Sequence, residues 1–332
     1  SPDLVADAFG RLHVVTVRNY SEDNNGFIYY SRLDDQGWST PVDILAAPNS
    51  RSSSIERFGV DKDGALFLLW SELNTGLFWS YSVALDATSA RAWETNLLIP
   101  DATRGDFVME GDEISLIYVD RDRDIFFRRS MDAGATWTPD VTVWSPPSNT
   151  QATFTLRLAK DKEGILHIAW TETDEVLNWN PSAVWYARSL DGGQTWRDFL
   201  RIPDQGSYIN IGFDALNNVH LLWNHNVGSV DGRYHAISKN GGETWSEPQW
   251  IFPGLSGRTG FPQLVLDSAG SLHQFTSGRG MGLEGGIYHS LWSGDQWASP
   301  ILISKPVSED NNEGPVAAIT SGNLIHVIWR NN

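Results

Sequence analysis

Short apolar segments that end in an aromatic residue or a threonine recur along the whole chain at a nearly constant interval. Segments 66–70 (LFLLW) and 166–170 (LHIAW) are two examples. The second residues of the seven segments are His13, Phe67, Ser115, His167, His220, His273 and His326. An apolar run of this length fits a buried β-strand. Its recurrence about every 53 residues predicts one repetitive domain over residues 1–332.

The sequence around each segment predicts a four-stranded unit. A shorter apolar strand and a turn rich in Asp and Gly come before it, as in 60–64 (VDKDG) and 266–270 (LDSAG). A polar loop, a third strand and a fourth strand that opens at Trp follow it. Four antiparallel strands at a fixed period are typical of propeller blades. We predict an all-β propeller of four-stranded antiparallel blades with seven repeats, the last one short, and a six-bladed propeller as the alternative. The repeats span about 1–50, 51–101, 102–149, 150–204, 205–254, 255–304 and 305–332.

The turn between the third and fourth strands carries the most specific motif of the chain. It reads SMDAGATW at 130–137, SLDGGQTW at 189–196 and SKNGGETW at 238–245. In such a turn Asp or Asn accepts backbone N–H groups, Gly takes positive φ and Trp packs into the sheet. Through this motif the chain resembles the Asp-box (BNR) repeat proteins, the superfamily of sialidases and their non-catalytic relatives, over essentially all 332 residues. The resemblance implies that ligands bind on the opposite face, formed by loops that enter the first strands and join the second strands to the third.

Composition narrows the classes of partner. A formal charge of −17 and a pI near 4.7 argue against nucleic acid and anionic membrane surfaces. No apolar run is long enough to cross a membrane, so no membrane insertion is expected. The chain has no cysteine, which excludes disulfides and thiolate-bound zinc. We predict no cofactor and no metal site, since the recurrent histidines belong to different blades. A secreted or cell-surface location follows only from the family resemblance.

One polar position recurs in the first strands. It lies four residues before the Asp that ends the strand and shares a strand face mostly with small residues. In repeats one, two, four, five and six it is occupied by Asp3, Arg57, Arg157, Asn210 and Gln263. These residues either line a ligand funnel or form hydrogen bonds to each other across a water-filled channel.

The resemblance implies further roles for individual residues. Sialidases hold the sugar carboxylate with three arginines, for which Arg57, Arg157 and Arg258 are candidates, with Arg51, Arg104 and Arg279 in nearby loops. Tyr208 is the candidate nucleophile, Glu72 or Glu172 its activator, and Asp23 the acid/base. Alternatively, the two glutamates are structural residues of the repeat. Trp179, on the longest inserted loop, either stacks on a sugar ring or packs against the neighbouring blade.

These residues lead to two hypotheses about function. The first is a carbohydrate-directed propeller, either a glycan binder or a divergent glycoside hydrolase, whose ligand is a glycan or another small anionic molecule. The second is a non-catalytic scaffold that binds proteins. The resemblance implies an aromatic-Arg-Ile-Pro segment ahead of the first blade in catalytic members. Here Arg-Ile-Pro occurs at 201–203, where it aligns with the fourth strands of other repeats.

Overall fold

The computed structural model describes residues 2–20, 25–47, 53–148, 151–227, 230–256, 261–280, 285–304 and 312–331. Its regular structure consists of β-strands and, in the described part, two single-turn 3-10 helices at Ala90–Ala92 and Glu175–Leu177. The chain clusters into two compact units, residues 1–144 with 318–326 and residues 145–317 with 327–332. A single domain over residues 1–332 stays a prediction.

The first unit contains three antiparallel sheets. Sheet 1 consists of β1 (Asp3–Ala6), β2 (Leu12–Tyr20), β3 (Asn25–Asp34), β4 (Gly37–Trp38) and β5 (Val42–Ala47). Sheet 2 consists of β6 (Ser53–Val60), β7 (Ala65–Glu72), β8 (Gly76–Val83) and β9 (Glu94–Pro100). Sheet 3 consists of β10 (Arg104–Glu110), β11 (Glu113–Val119), β12 (Ile125–Ser130) and β13 (Val141–Trp144).

The second unit contains three more antiparallel sheets. Sheet 4 consists of β14 (Gln151–Lys160), β15 (Leu166–Asp174), β16 (Asn180–Ser189) and β17 (Arg197–Ile202). Sheet 5 consists of β18 (Gly206–Phe213), β19 (Val219–Val227), β20 (Val230–Ser238) and β21 (Gln249–Ile251). Sheet 6 consists of β22 (Leu255–Ser256), β23 (Gln263–Leu266), β24 (Leu272–Gly280), β25 (Gly285–Leu291) and β26 (Ile301–Leu302).

The seventh repeat forms a two-stranded hairpin of β27 (Asn312–Thr320) and β28 (Leu324–Asn331). The predicted fold class, an all-β propeller of four-stranded antiparallel sheets, is confirmed. Within the described residues six sheets have four or five strands, which is the six-bladed alternative, and the seventh repeat contributes two strands.

Within each unit the core lies between successive sheets, and this explains why a second strand such as β7 is apolar on both faces. In β7, Leu66, Leu68 and Trp70 join a buried cluster with Val15 of sheet 1. The alternate residues of β7 join a second cluster with side chains of sheet 3, such as Phe107. The continuous run LFLLW is therefore the signature of a strand enclosed on two sides.

In sheets 1, 2, 4, 5 and 6 the first hairpin is closed by the aspartate that the repeat predicts. Asp61 Oδ1 accepts the N–H groups of Asp63 at 2.9 Å and of Ala65 at 2.7 Å. Gly64 in the same turn has φ of 86°, a left-handed conformation that strongly favours glycine. The Asp therefore satisfies backbone donors that the tight turn leaves open.

The Ser-x-Asp-x-Gly-x-Thr-Trp turns have the geometry that their sequence predicts. In the first, Asp132 Oδ1 accepts the N–H of Thr136 at 2.8 Å, and Ser130 Oγ accepts the N–H of Gly134 at 2.8 Å. The following Trp137 packs edge-on against Trp79 of the preceding sheet, with ring centroids 5.7 Å apart. The motif thus fixes the turn and also joins two sheets.

Histidines that are buried or half-buried tie the second strands to the third strands. His13 Nδ1 lies 2.7 Å from Tyr30 Oη, and His167 Nδ1 lies 2.7 Å from Tyr186 Oη. In the next two sheets a second histidine takes the tyrosine's place at the same register position, and the two imidazole nitrogens are 2.9 Å apart. These pairs are His220 with His235 and His273 with His289.

Candidate functional site

The polar residues of the first strands occupy equivalent register positions in their sheets, and we call this set of positions the polar level. Asp3 lies opposite Val15, and Arg57 lies opposite Leu69, two residues beyond the recurrent second-strand position. The remaining members of this level are Asp106, Arg157, Asn210 and Gln263. Asp106 was absent from the predicted set because the third repeat lacks the Asp that ends the other first strands. Counting back from the second strand of that repeat would have found it.

In the first unit this level is an ion-pair cluster. Arg57 Nε lies 3.4 Å from Asp106 Oδ1, and the Asp106 side chain is fully buried while that of Arg57 is 38% exposed. Asp106 raises the pKa of Arg57, burial opposes this shift, and Asp3 raises it further. Asp3 also accepts the N–H of Phe58 at 2.8 Å. The charge of Arg57 is therefore already balanced by carboxylates of its own unit.

In the second unit the same level carries an arginine on an aromatic surface. The guanidinium carbon of Arg157 lies 3.8 Å from the ring centroid of Phe261, in a cation–π contact. Tyr208 packs edge-on against the same Phe261 ring at 5.3 Å and against Phe154 at 5.8 Å. All four side chains are half-buried. We call Phe154, Arg157, Tyr208 and Phe261 the aromatic–arginine cluster.

A β-bulge places Tyr208 in this cluster. The register of β18 shifts between Ser207 and Asn210, and Tyr208 has φ of 53°, which is costly for a bulky residue. Such strain persists where the surrounding structure imposes it, and it concentrates at functional sites.

The remaining candidates of the second unit occupy the same strands. Asn210 Nδ2 donates to the carbonyl of Pro262 at 2.6 Å, so this amide links sheets 5 and 6. Gln263 opens β23 and is half-buried, while Arg279 lies opposite Gly285 near the end of β24. Trp179 follows the single turn at Glu175–Leu177 and is 44% exposed.

The carboxylate of Glu172 is buried and bonded on both oxygens within its own sheet. Oε1 accepts the Ser182 hydroxyl at 2.8 Å and an N–H of Arg201 at 3.2 Å, and Oε2 accepts the Trp185 indole N–H at 3.0 Å. Arg201 belongs to β17, a fourth strand, as its alignment predicts. These contacts support the alternative hypothesis that Glu172 is a structural residue of the repeat.

Glu72 follows the same Trp-x-Glu pattern but has different surroundings. By register, Phe78 takes the place of Trp185 and Leu97 takes the place of Arg201, so two hydrogen-bond donors are replaced by apolar side chains. Glu72 instead lines a cleft of about 410 Å³ in the first unit, together with Arg104. We call this cavity the first-unit cleft.

Two members of the predicted arginine clamp lie in different units of the chain. Arg57 belongs to the first unit and Arg157 to the second. Asp23, Arg51 and Arg258 lie outside the described residues, so their roles stay predictions.

The described residues contain no helix long and apolar enough to cross a membrane. In that same part of the chain, no group of three or more His, Asp or Glu is arranged to hold a metal ion.

Sequence comparison identifies no relative: no protein-family model matches the chain, and no curated protein matches it significantly. Similarity to solved structures is extensive but distant. An ulvan lyase, described as a new family of polysaccharide lyase and bound to GlcA(1-4)Rha3S, has a TM-score of 0.66 at 10% identity, covering 97% of this chain and 90% of its own. The Aleuria aurantia lectin in complex with Fucalpha1-6GlcNAc has a TM-score of 0.55 at 11% identity, with 92% and 96% covered.

A Hadza microbial sialidase has a TM-score of 0.54 at 15% identity, and the match covers 99% of this chain but 63% of the sialidase. At such identities the similarity shows a shared fold alone. The chain therefore has a sialidase-like β-propeller fold.

Proposed function

We propose that this protein binds glycans that carry an anionic group, and that it binds them at the aromatic–arginine cluster. The observation that carries the proposal is the guanidinium of Arg157 lying 3.8 Å from the centre of the Phe261 ring, with Tyr208 beside it. Arg157 Nη1 also donates to the carbonyl of Leu156 at 3.0 Å. A guanidinium has five N–H groups, so one that stacks on an aromatic ring can donate to a protein carbonyl and to a carboxylate or sulfate.

The aromatic side chains supply the other half of such a site. Phe154, Tyr208 and Phe261 are half-buried and held edge-to-face, so they offer a rigid apolar surface to the C–H face of a sugar ring. The chain as a whole is acidic, so an anionic ligand needs a local positive group for its capture. The exposed Trp179, in the loop between β15 and β16, can add a stacking surface.

The structural neighbours support a carbohydrate ligand in general terms. They include a sialidase, a polysaccharide lyase bound to a saccharide and a lectin bound to a disaccharide. Binding is favoured over hydrolysis because Glu172, one of the two predicted activators of Tyr208, is bonded within its own sheet.

The test is isothermal titration calorimetry with the methyl glycosides of glucuronic acid and N-acetylneuraminic acid. We expect Arg157→Ala to weaken binding of an acidic glycoside at least tenfold, since a charge-assisted pair is lost, and Arg157→Lys to retain part of it. Arg91→Ala is the matched control, because Arg91 is exposed in the other unit. Absence of binding to both glycosides, or equal binding by the Arg157 and Arg91 variants, would refute the proposal.

Hydrolysis is the second candidate, favoured by the strained backbone of Tyr208. If the protein hydrolyses sialosides, it should release fluorophore from a 4-methylumbelliferyl sialoside, and the Tyr208→Phe variant should not. If fluorophore is released no faster than without the protein while glycosides still bind, the protein binds glycans but does not hydrolyse them.

A further inference from the structure

The first-unit cleft lies where the loops of sheets 2 and 3 meet. Its lining combines carboxylate, guanidinium, amide and hydroxyl groups. The charged residues that line it are Glu56, Glu72, Asp101, Arg104 and Arg121. Its volume of about 410 Å³ falls within the range of roughly 300–1,000 Å³ that small-molecule sites occupy.

A β-bulge supplies Glu56 to this cleft. The register of β6 passes from Ile55 opposite Trp70 to Arg57 opposite Leu69, so Glu56 is the extra residue of the strand. Its Oε1 accepts the hydroxyl of Ser71 at 2.8 Å, whereas the next residue, Arg57, pairs with Asp106. The bulge therefore lets one strand serve both the ion-pair cluster and the cleft.

Backbone hydrogen bonds hold the wall of the cleft that carries Glu72. The N–H of Thr75 donates to the carbonyl of Glu72 at 3.1 Å, and the N–H of Asp101 donates to the carbonyl of Thr75 at 3.0 Å. Asn74, at the tip of this turn, has φ of 65°, a conformation that Asn tolerates well. A wall fixed in this way loses little conformational entropy when a ligand binds.

The charges of the cleft select the ligand class. Three carboxylates and two guanidinium groups line the cleft, and Asp101 pairs with Arg121 at 2.5 Å. The described lining therefore has one more negative than positive charge, which disfavours an anionic ligand. Carboxylates, hydroxyls and an amide are instead the groups that bind the adjacent hydroxyls of an uncharged sugar.

We propose that the first-unit cleft is a second saccharide site, specific for a neutral sugar unit, in which Glu56 and Glu72 accept hydrogen bonds from sugar hydroxyls. It uses none of the residues of the aromatic–arginine cluster.

The experiment is saturation-transfer difference NMR followed by calorimetry, with the methyl glycosides of glucose, galactose, mannose, fucose and rhamnose. At least one should bind, and the double variant Glu56→Gln/Glu72→Gln should weaken it at least tenfold, because neutral acceptors form weaker bonds than carboxylates. Glu163→Gln is the matched control, since Glu163 is exposed in a hairpin of sheet 4. Circular dichroism verifies that each variant remains folded.

Measuring Arg157→Ala with both kinds of glycoside distinguishes the neutral-sugar site from the proposed anionic site. Arg157→Ala should leave neutral-glycoside binding unchanged, whatever it does to the acidic glycosides. The inference fails if none of the five glycosides binds, if the double variant binds as well as the control, or if Arg157→Ala removes neutral-sugar binding.

Discussion

Replacing His235 by tyrosine should make the protein less sensitive to acid. His235 Nε2 lies 2.9 Å from His220 Nδ1, and both rings are buried. The rings of Trp292 and Trp297 pack edge-on against this pair. Burial, aided by the neighbouring His220, lowers the pKa of His235 from 6.5 to about 3. His220 also lies 3.5 Å from the carboxylate of Asp214.

The size of the effect follows from that shift. Above pH 6.5 neither the folded nor the unfolded state protonates this residue, so it contributes no pH dependence. As pH falls from 6.5 toward about 3, the unfolded chain binds a proton that folded His235 does not, and stability falls. At pH 5 the cost is about 2 kcal/mol, since each pKa unit corresponds to about 1.4 kcal/mol.

The fold itself indicates that tyrosine fits at this position. Tyr30 and Tyr186 occupy the same register position in sheets 1 and 4, and each places its hydroxyl 2.7 Å from the histidine of the second strand. A tyrosine at position 235 should keep that hydrogen bond and the packing of Trp292. It also removes the imidazole that the unfolded chain, but not the folded protein, protonates at mildly acidic pH.

Urea unfolding monitored by tryptophan fluorescence at pH 7.5 and pH 5.0 tests this expectation. His235→Tyr should lose about 2 kcal/mol less than the parent protein between the two pH values. The reciprocal change, Tyr186→His, should increase the acid sensitivity of sheet 4. An unchanged pH dependence in both variants would refute the assignment of acid sensitivity to these pairs.

Two further predictions concern stability at neutral pH. Gly242 has φ of 93° and an added Cβ would lie 1.8 Å from Tyr186 Oη, so Gly242→Ala should cost about 2 kcal/mol or more, measured by thermal unfolding. Gly294→Ala, at φ of 100° with no atom within 4 Å, carries the backbone strain alone and should cost less; equal losses would contradict the steric argument. Arg57→Ala should cost roughly 1–3 kcal/mol in urea unfolding because it removes the cation beside buried Asp106. The double variant with Asp106→Asn should recover part of that loss, whereas strict additivity would show that the two side chains are not coupled.

The sequence alone determined the repeat, the fold class and the turn geometry. These features depend on contacts within about one repeat, such as Asp132 with Thr136 and Asp61 with Ala65, so residue spacing reveals them. The sequence also predicted the polar residues that recur in the first strands. Asp106 was the exception, because the third repeat lacks the strand-ending Asp by which the repeats were aligned.

The tertiary structure alone decided which polar residues are available for binding. Glu72 and Glu172 have the same local sequence pattern, yet Glu172 is buried under Trp185 and Arg201 while Glu72 lines a cleft. Their difference comes from third- and fourth-strand residues, and Arg201 is 29 positions away from Glu172. The aromatic–arginine cluster likewise unites first strands of sheets 4 and 5 with a residue just before that of sheet 6. Charge balance and burial depend on such distant partners, and the local pattern around a residue does not contain them.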